Sequence, residues 1–161
     1  MTKNNMPDIS TPQKRLSLVR EDGKAIKFFV DSATAEERLI AVKQSGFAIE
    51  FFADTATHEE RLMAIKGYRR SYAIQFFADT ATPEERLIAI KQEGRAIQFL
   101  ANTATSEERL IAVMNDSRAI EYFADTATPE ERLLAIKRDG LSIKHFAYNV
   151  IILLITIRFL S

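Results

Sequence analysis

Five pairs of adjacent glutamates, Glu36-Glu37, Glu59-Glu60, Glu84-Glu85, Glu107-Glu108 and Glu130-Glu131, are the residues of this chain best suited to acid–base chemistry. A general acid and a general base must both reach the reacting atoms. Neighbours on an α-helix diverge by about 100°, so the two carboxylates of a pair cannot serve one substrate. Each pair instead completes a helix start, as in Thr82-Pro83-Glu84-Glu85, with threonine as N-cap and the second glutamate at N3 of a capping box. The same start recurs from Thr34, Thr57, Thr105 and Thr128, while Thr11-Pro12-Gln13-Lys14 lacks both acids. His58 and His145 are far apart and have no recurring acid in a metal-ligand spacing. The absence of cysteine removes thiolate nucleophiles, thiolate metal sites and disulfides together. Neither a glycine-rich phosphate loop nor a Gly-x-Ser-x-Gly elbow occurs. The residues therefore predict no catalytic, cofactor-binding or metal site, and a protein that is not an enzyme.

A second recurring group is an arginine that closes each helix start, at Arg15, Arg38, Arg61, Arg86, Arg109 and Arg132. Such a ladder could comb anions. It recurs unchanged beside Asp54, Asp79, Asn102 and Asp125 of the connectors, which favours structural pairing between neighbouring units.

The arginines are 23 residues apart, with one interval of 25 between Arg61 and Arg86. A period in this range marks a solenoid, whose units are too small to bury their own apolar residues and must stack. In the clearest unit a first helix spans Pro83 to about Glu93, with Gly94 as a left-handed stop like Gly23, Gly46 and Gly140. Leu87, Ile88, Ala89 and Ile90 point in four directions, so this helix is expected to be enclosed. A second short helix, Arg95 to Ala101, turns Ala96, Ile97, Phe99, Leu100 and Ala101 inward and leaves Arg95, Gln98 and Asn102 outside. A strand at Ala96 to Ala101 is the rival, but alternation would turn Phe52, Phe77 and Leu100 outward. The expected fold is all-α: an α-solenoid of about six 23-residue helix-turn-helix repeats.

The stretch from Arg38 through Ala41-Val42-Lys43-Gln44-Ser45-Gly46-Phe47-Ala48-Ile49 to Ala53 resembles the Val-Leu-x-Ala-Val-Lys-Gln-Asn-Gly-x-Ala-Leu-x-Tyr-Ala-Ser repeat of a family of unknown function. That family occurs in multi-repeat proteins that include candidate effectors of intracellular bacteria. The likeness runs from Ser10 to Ala147 and departs at the Asp-Thr-Ala-Thr connector, where the family carries a longer charged link. Residues Arg95 to Leu110 are also similar to the leucine-rich repeat variant, another helical solenoid. Neither resemblance supplies catalytic residues, and a chain without cysteine cannot hold the iron–sulfur cluster of some proteins of the second family.

Recognition is expected where units differ. Along the outer side of the second helices one row reads Lys24, Phe47, Tyr72, Arg95, Arg118, Leu141, and the next reads Lys27, Glu50, Gln75, Gln98, Glu121, Lys144. The two-residue insertion adds Tyr68, Arg69 and Arg70 beside this stripe. Aromatic residues and arginine supply much of the energy of protein interfaces. The predicted protein-binding residues are Phe47, Glu50, Tyr68, Arg69, Arg70, Tyr72, Gln75, Arg95, Gln98, Arg118 and Glu121. The expected partner is another protein, and no cofactor is implied. The paired glutamates are expected to line one edge, and Lys43, Lys66, Lys91 and Lys137 the opposite one, joined by Arg69, Arg70, Arg95 and Arg118. Polyanion or nucleic-acid binding along this basic edge is the alternative, and a truncated remnant of a longer repeat protein is another.

Lys and Arg balance Asp and Glu at 22 each, which argues against bulk attraction to nucleic acid. Residues 1–9 read as a disordered polar tail without a secretory signal, and 10–147 as the repeat array. This points to the cytoplasm, or to delivery into a host cell as an effector without a cleavable signal peptide. Residues 148–161 form an apolar tail. The uncharged run His145 to Ile157 is short for a membrane span. It reads as a divergent cap on the last repeat, as a segment for membrane contact or self-association, or as a frame-disrupted end of a longer array.

Overall fold

A computed structural model describes residues 7–66 and 71–146. They are helical, with no strand among the described residues. Six α-helices recur in step with the sequence period: α1 (Pro12–Glu21), α2 (Ala35–Gln44), α3 (His58–Ile65), α4 (Pro83–Gln92), α5 (Ser106–Asn115) and α6 (Pro129–Arg138). Each begins at the expected threonine. In α2 the Glu37 N–H donates to Thr34 Oγ1 at 3.2 Å and the Thr34 N–H donates to Glu37 Oε2 at 2.7 Å, and the same reciprocal box opens α3 to α6. A box of this kind satisfies two of the orphan N–H groups at a helix start, and an N-cap is worth about 1 kcal/mol.

The second helix of each unit is a 3-10 helix: Gly23–Phe28, Gly46–Phe51, Ser71–Phe76, Gly94–Phe99, Ser117–Tyr122 and Gly140–His145. Three residues per turn place positions i and i+3 one above the other. Gly46, Ile49 and Phe52 thereby form one buried column, while Phe47 and Glu50 form the column beside it. The 3-10 turn thus gathers the two predicted rows onto a single edge. A further turn, such as Ala53–Thr55, then leads into the next threonine cap. Asn102 replaces the usual aspartate in this connector, and no second 3-10 helix forms there.

The glycines work differently from a left-handed stop. The residues that cap the α-helices, Asp22, Ser45, Asp116 and Asp139, are extended, and the first residue of the 3-10 segment is glycine after Asp22, Ser45 and Asp139 and serine after Asp116. A Cβ on Gly23 would lie 2.3 Å from the Ala41 carbonyl oxygen, and one on Gly94 would lie 2.4 Å from that of Ala112. Glycine is required there because the backbone of the following α-helix passes so close.

The chain divides into two compact units, Met1–Ile88 and Ala89–Ser161. In the first, α1 packs on α2 and α2 on α3, and the 3-10 segments from Gly23, Gly46 and Ser71 stack in the same order. In the second, α5 packs on α6 and the segments from Gly94, Ser117 and Gly140 stack likewise. Val19, Ile26, Val42, Ile49, Ile65 and Ile74 form the core of the first unit without exposure, as do Ile90, Ile97, Val113 and Ile120 in the second. Each such side chain contributes about 2 kcal/mol through burial. The α-helices are less enclosed than their composition suggests, because Leu39 and Ile40 are only half-buried while Ala41 and Val42 are fully buried.

Candidate interaction surface

The arginine ladder is the constant part of the molecule. Arg38 Nη2 donates to Glu60 Oε2 of the next repeat at 2.9 Å and to the Thr55 carbonyl at 3.0 Å. Arg109 repeats this with Glu131 at 2.8 Å and Thr126 at 2.9 Å, and Arg15 Nε lies 2.9 Å from Glu37 Oε1. The guanidiniums of Arg15, Arg38, Arg61, Arg109 and Arg132 also cover the aromatic ring that ends the next 3-10 segment, at 4.3 Å for Arg38 over Phe52 and for Arg109 over Phe123, while the repeat of Arg86 has Leu100 there. Cation and ring attract, and the ring keeps water from the ion pair. The expected pairing between neighbouring repeats is therefore present, but its acid is the capping glutamate rather than the connector aspartate. One carboxylate serves three tasks: it caps its own helix, pairs with the preceding repeat and neutralises the helix N-terminus.

This corrects the predicted acidic edge. Glu37, Glu60, Glu85, Glu108 and Glu131 are buried, and only the first acid of each pair reaches solvent. One variation occurs at Glu85, where His58 Nδ1 approaches Oε1 at 2.9 Å and His58 Nε2 lies 3.5 Å from Glu84. No group of three or more histidine, aspartate or glutamate residues is arranged to hold a metal ion among the described residues.

The variable rows lie on the edge of the 3-10 segments. In the first unit Glu50 and Gln75 are exposed and Phe47 and Tyr72 half-buried; in the second Arg118 and Glu121 are exposed and Arg95 and Gln98 half-buried. Tyr68, Arg69 and Arg70 lie outside the described residues.

Sequence reasoning missed how these side chains meet along the row. Lys24 Nζ contacts Glu50 Oε1 at 3.1 Å and lies over the Phe47 ring. Phe47 meets Phe76 edge to face, with ring centroids 5.7 Å apart. Arg95 reaches Glu121 and Tyr122, and Arg118 turns back onto Asp116 at 2.8 Å. The chemistry changes from step to step, but Lys24, Phe47, Arg95 and Arg118 each meet a matching group. The only signal in sequence is that the residue opening one 3-10 segment is followed, a repeat later, by a suitable acid or aromatic at the end of the next. These contacts hold Asp116 below the ordinary carboxylate range: partial burial opposes ionisation, and the side-chain and backbone hydrogen bonds from Arg118 outweigh it. The Tyr122 phenol is raised, first by burial and then by Glu121, with Arg95 opposing.

The lysine edge is present in part. Lys43, Lys66, Lys91 and Lys137 are exposed, but Arg95 and Arg118 are engaged by Glu121 and Asp116. Among the described residues no helix is long and apolar enough to cross a membrane. No family model matches the chain, and neither a curated protein nor a solved structure matches it significantly.

Proposed function

We propose that the chain is an α-solenoid of six stacked helix pairs and acts as a non-catalytic scaffold that binds another protein along the edge of its 3-10 segments. The observation that carries this reading is a division of labour. The ladder of arginine, capping glutamate and aromatic ring repeats almost unchanged, whereas the adjacent edge changes residue by residue. Repetition is what stacking requires, and variation is what a specific partner reads. Phe47, Tyr72, Arg95 and Arg118 supply the aromatic and guanidinium groups that anchor interfaces. Glu50, Gln75, Gln98 and Glu121 supply polar groups around them.

The edge also explains why a protein is favoured over a polyanion. A phosphate backbone needs an excess of free positive charge, and each described arginine on this edge faces an acid. Affinity capture from lysate with the full chain, with and without nuclease, tests the reading. A protein retained after nuclease treatment and at raised salt supports it. Retention that disappears with nuclease, or falls steeply with salt, replaces it with polyanion binding.

A further inference from the structure

The last described repeat leaves open a face that its predecessors bury. Ile143 is 48% exposed, whereas its equivalents Ile26, Ile49, Ile74, Ile97 and Ile120 have no exposure. Ile97 and Ile120 lie in 3-10 segments against which α5 and α6 pack, respectively. Leu133, midway along α6, is 52% exposed, and its equivalent Leu110 is only half-buried. Two further features mark the same opening. A Cβ on Gly140 would meet nothing within 4 Å, where one on Gly94 would strike the carbonyl of the following helix. Arg132 covers the Phe146 ring and donates to the Ala124 carbonyl, but no capping glutamate from a further repeat faces it among the described residues. A solenoid end of this kind requires a cover.

Stacking by the first repeat of a second copy is disfavoured by chemistry. Lys14 stands where the later repeats place the glutamate that receives the preceding arginine, so it would be set against Arg132. Leu18 stands where the later repeats have the small alanine whose carbonyl passes closest to the glycine, and Ser17 replaces an apolar residue. The first repeat carries a polar, bulky outer side, while the last carries an open apolar one.

The sequence that follows Phe146 has the opposite character. It contains no acid, and Val150 to Ile155 is an unbroken apolar run. In repeat register it would place Leu154 at the capping glutamate and Arg158 at the buried alanine, so it cannot form a seventh repeat. Two apolar surfaces joined within a few residues of one chain remove each other from water at little loop-closure cost. We infer that the segment 148–160 of the same chain covers the face formed by Leu133, Ile136 and Ile143, as a cap outside the repeat register.

The lack of native cysteine allows a direct test in the full-length chain. A variant carrying Ile143→Cys and Leu154→Cys is treated with a short bismaleimide, beside a control carrying Leu154→Cys with Asn102→Cys, an exposed position two repeats earlier in the same unit. An independent pair, Leu133→Cys with Ile151→Cys, covers the case in which the first variant does not fold. The expected result is loss of both thiols with retention of monomer mass in the face variants and not in the control. A product of doubled mass would assign the face to a second copy and overturn the proposal. Thiols left unlinked while the chain floats with phosphatidylglycerol vesicles would assign the tail to a membrane and overturn it equally. Unlinked thiols without vesicle binding would show that the face stays open.

Discussion

The guanidinium of Arg95 lies within 2.7 Å of the Tyr122 hydroxyl, one repeat further along, and 3.1 Å from Oε1 of Glu121. Two residues assigned to a recognition row thus also tie neighbouring turns together. Tyr122→Phe removes the hydroxyl and is expected to cost about 0.5 kcal/mol, the low end for a hydrogen bond, because solvent reaches the site. The phenol is raised above its ordinary value of 10.0. Its neutral form therefore stabilises the fold fully below pH 10.0, and that contribution is lost as pH rises through the folded value. Ultraviolet titration should show a tyrosine ionising late, and Tyr122→Phe should remove that step.

Removing one member of the ladder strands its partner. Glu131 is buried and Arg109 nearly so, and breaking a buried ion pair costs about 3 kcal/mol or more. Arg109→Ala and Glu131→Ala should each lower the denaturation midpoint strongly. The double variant should cost much less than the sum, which a double-mutant cycle in urea measures. Glu131→Ala should be the worse single change, because it also removes the helix cap.

Glycine substitutions should separate close approach from backbone freedom. Gly94→Ala forces a Cβ against the Ala112 carbonyl and is expected to destabilise by about 1–3 kcal/mol. Gly140→Ala has no carbonyl of a following repeat to strike and should be neutral or stabilise by about 0.5 kcal/mol through the unfolded chain. Thermal melts of the two variants side by side check the contrast. Equal losses at both positions would show that conformation, not packing, selects glycine.

Acid should weaken the second unit through Asp116. Its carboxyl is held below 3.8, so its contribution is complete above pH 3.8 and disappears as pH falls through the folded value. Arg118→Ala removes the hydrogen bonds responsible, and the acid side of the stability profile should become shallower. Urea midpoints measured between neutral pH and pH 3 test this.

Much of the fold was legible because each helix start is written in three residue types at fixed spacing. Thr34 and Glu37 announce their box without any tertiary information. The identity of the arginine's partner was not legible, since Glu37 already had a local explanation and nothing in sequence says that a buried carboxylate serves two repeats. The 3-10 form of the second helix was missed for a related reason. A segment as short as Gly46–Phe51 is compatible with either winding, and the stacked column of Gly46, Ile49 and Phe52 decides it only when the next repeat is in place. The role of glycine turned on the approach of the Ala41 and Ala112 carbonyls, which lie in the repeat that follows each glycine.

The most direct test of the division between ladder and edge is the affinity of a captured protein for a chain with Glu50, Gln75, Arg118 and Glu121 replaced by alanine. All four are exposed, so the variant should keep a near-native unfolding midpoint. Binding should weaken by about tenfold or more, equivalent to about 1.4 kcal/mol. Unchanged affinity in a variant that melts like the parent chain would contradict the assignment of the 3-10 edge as the binding surface.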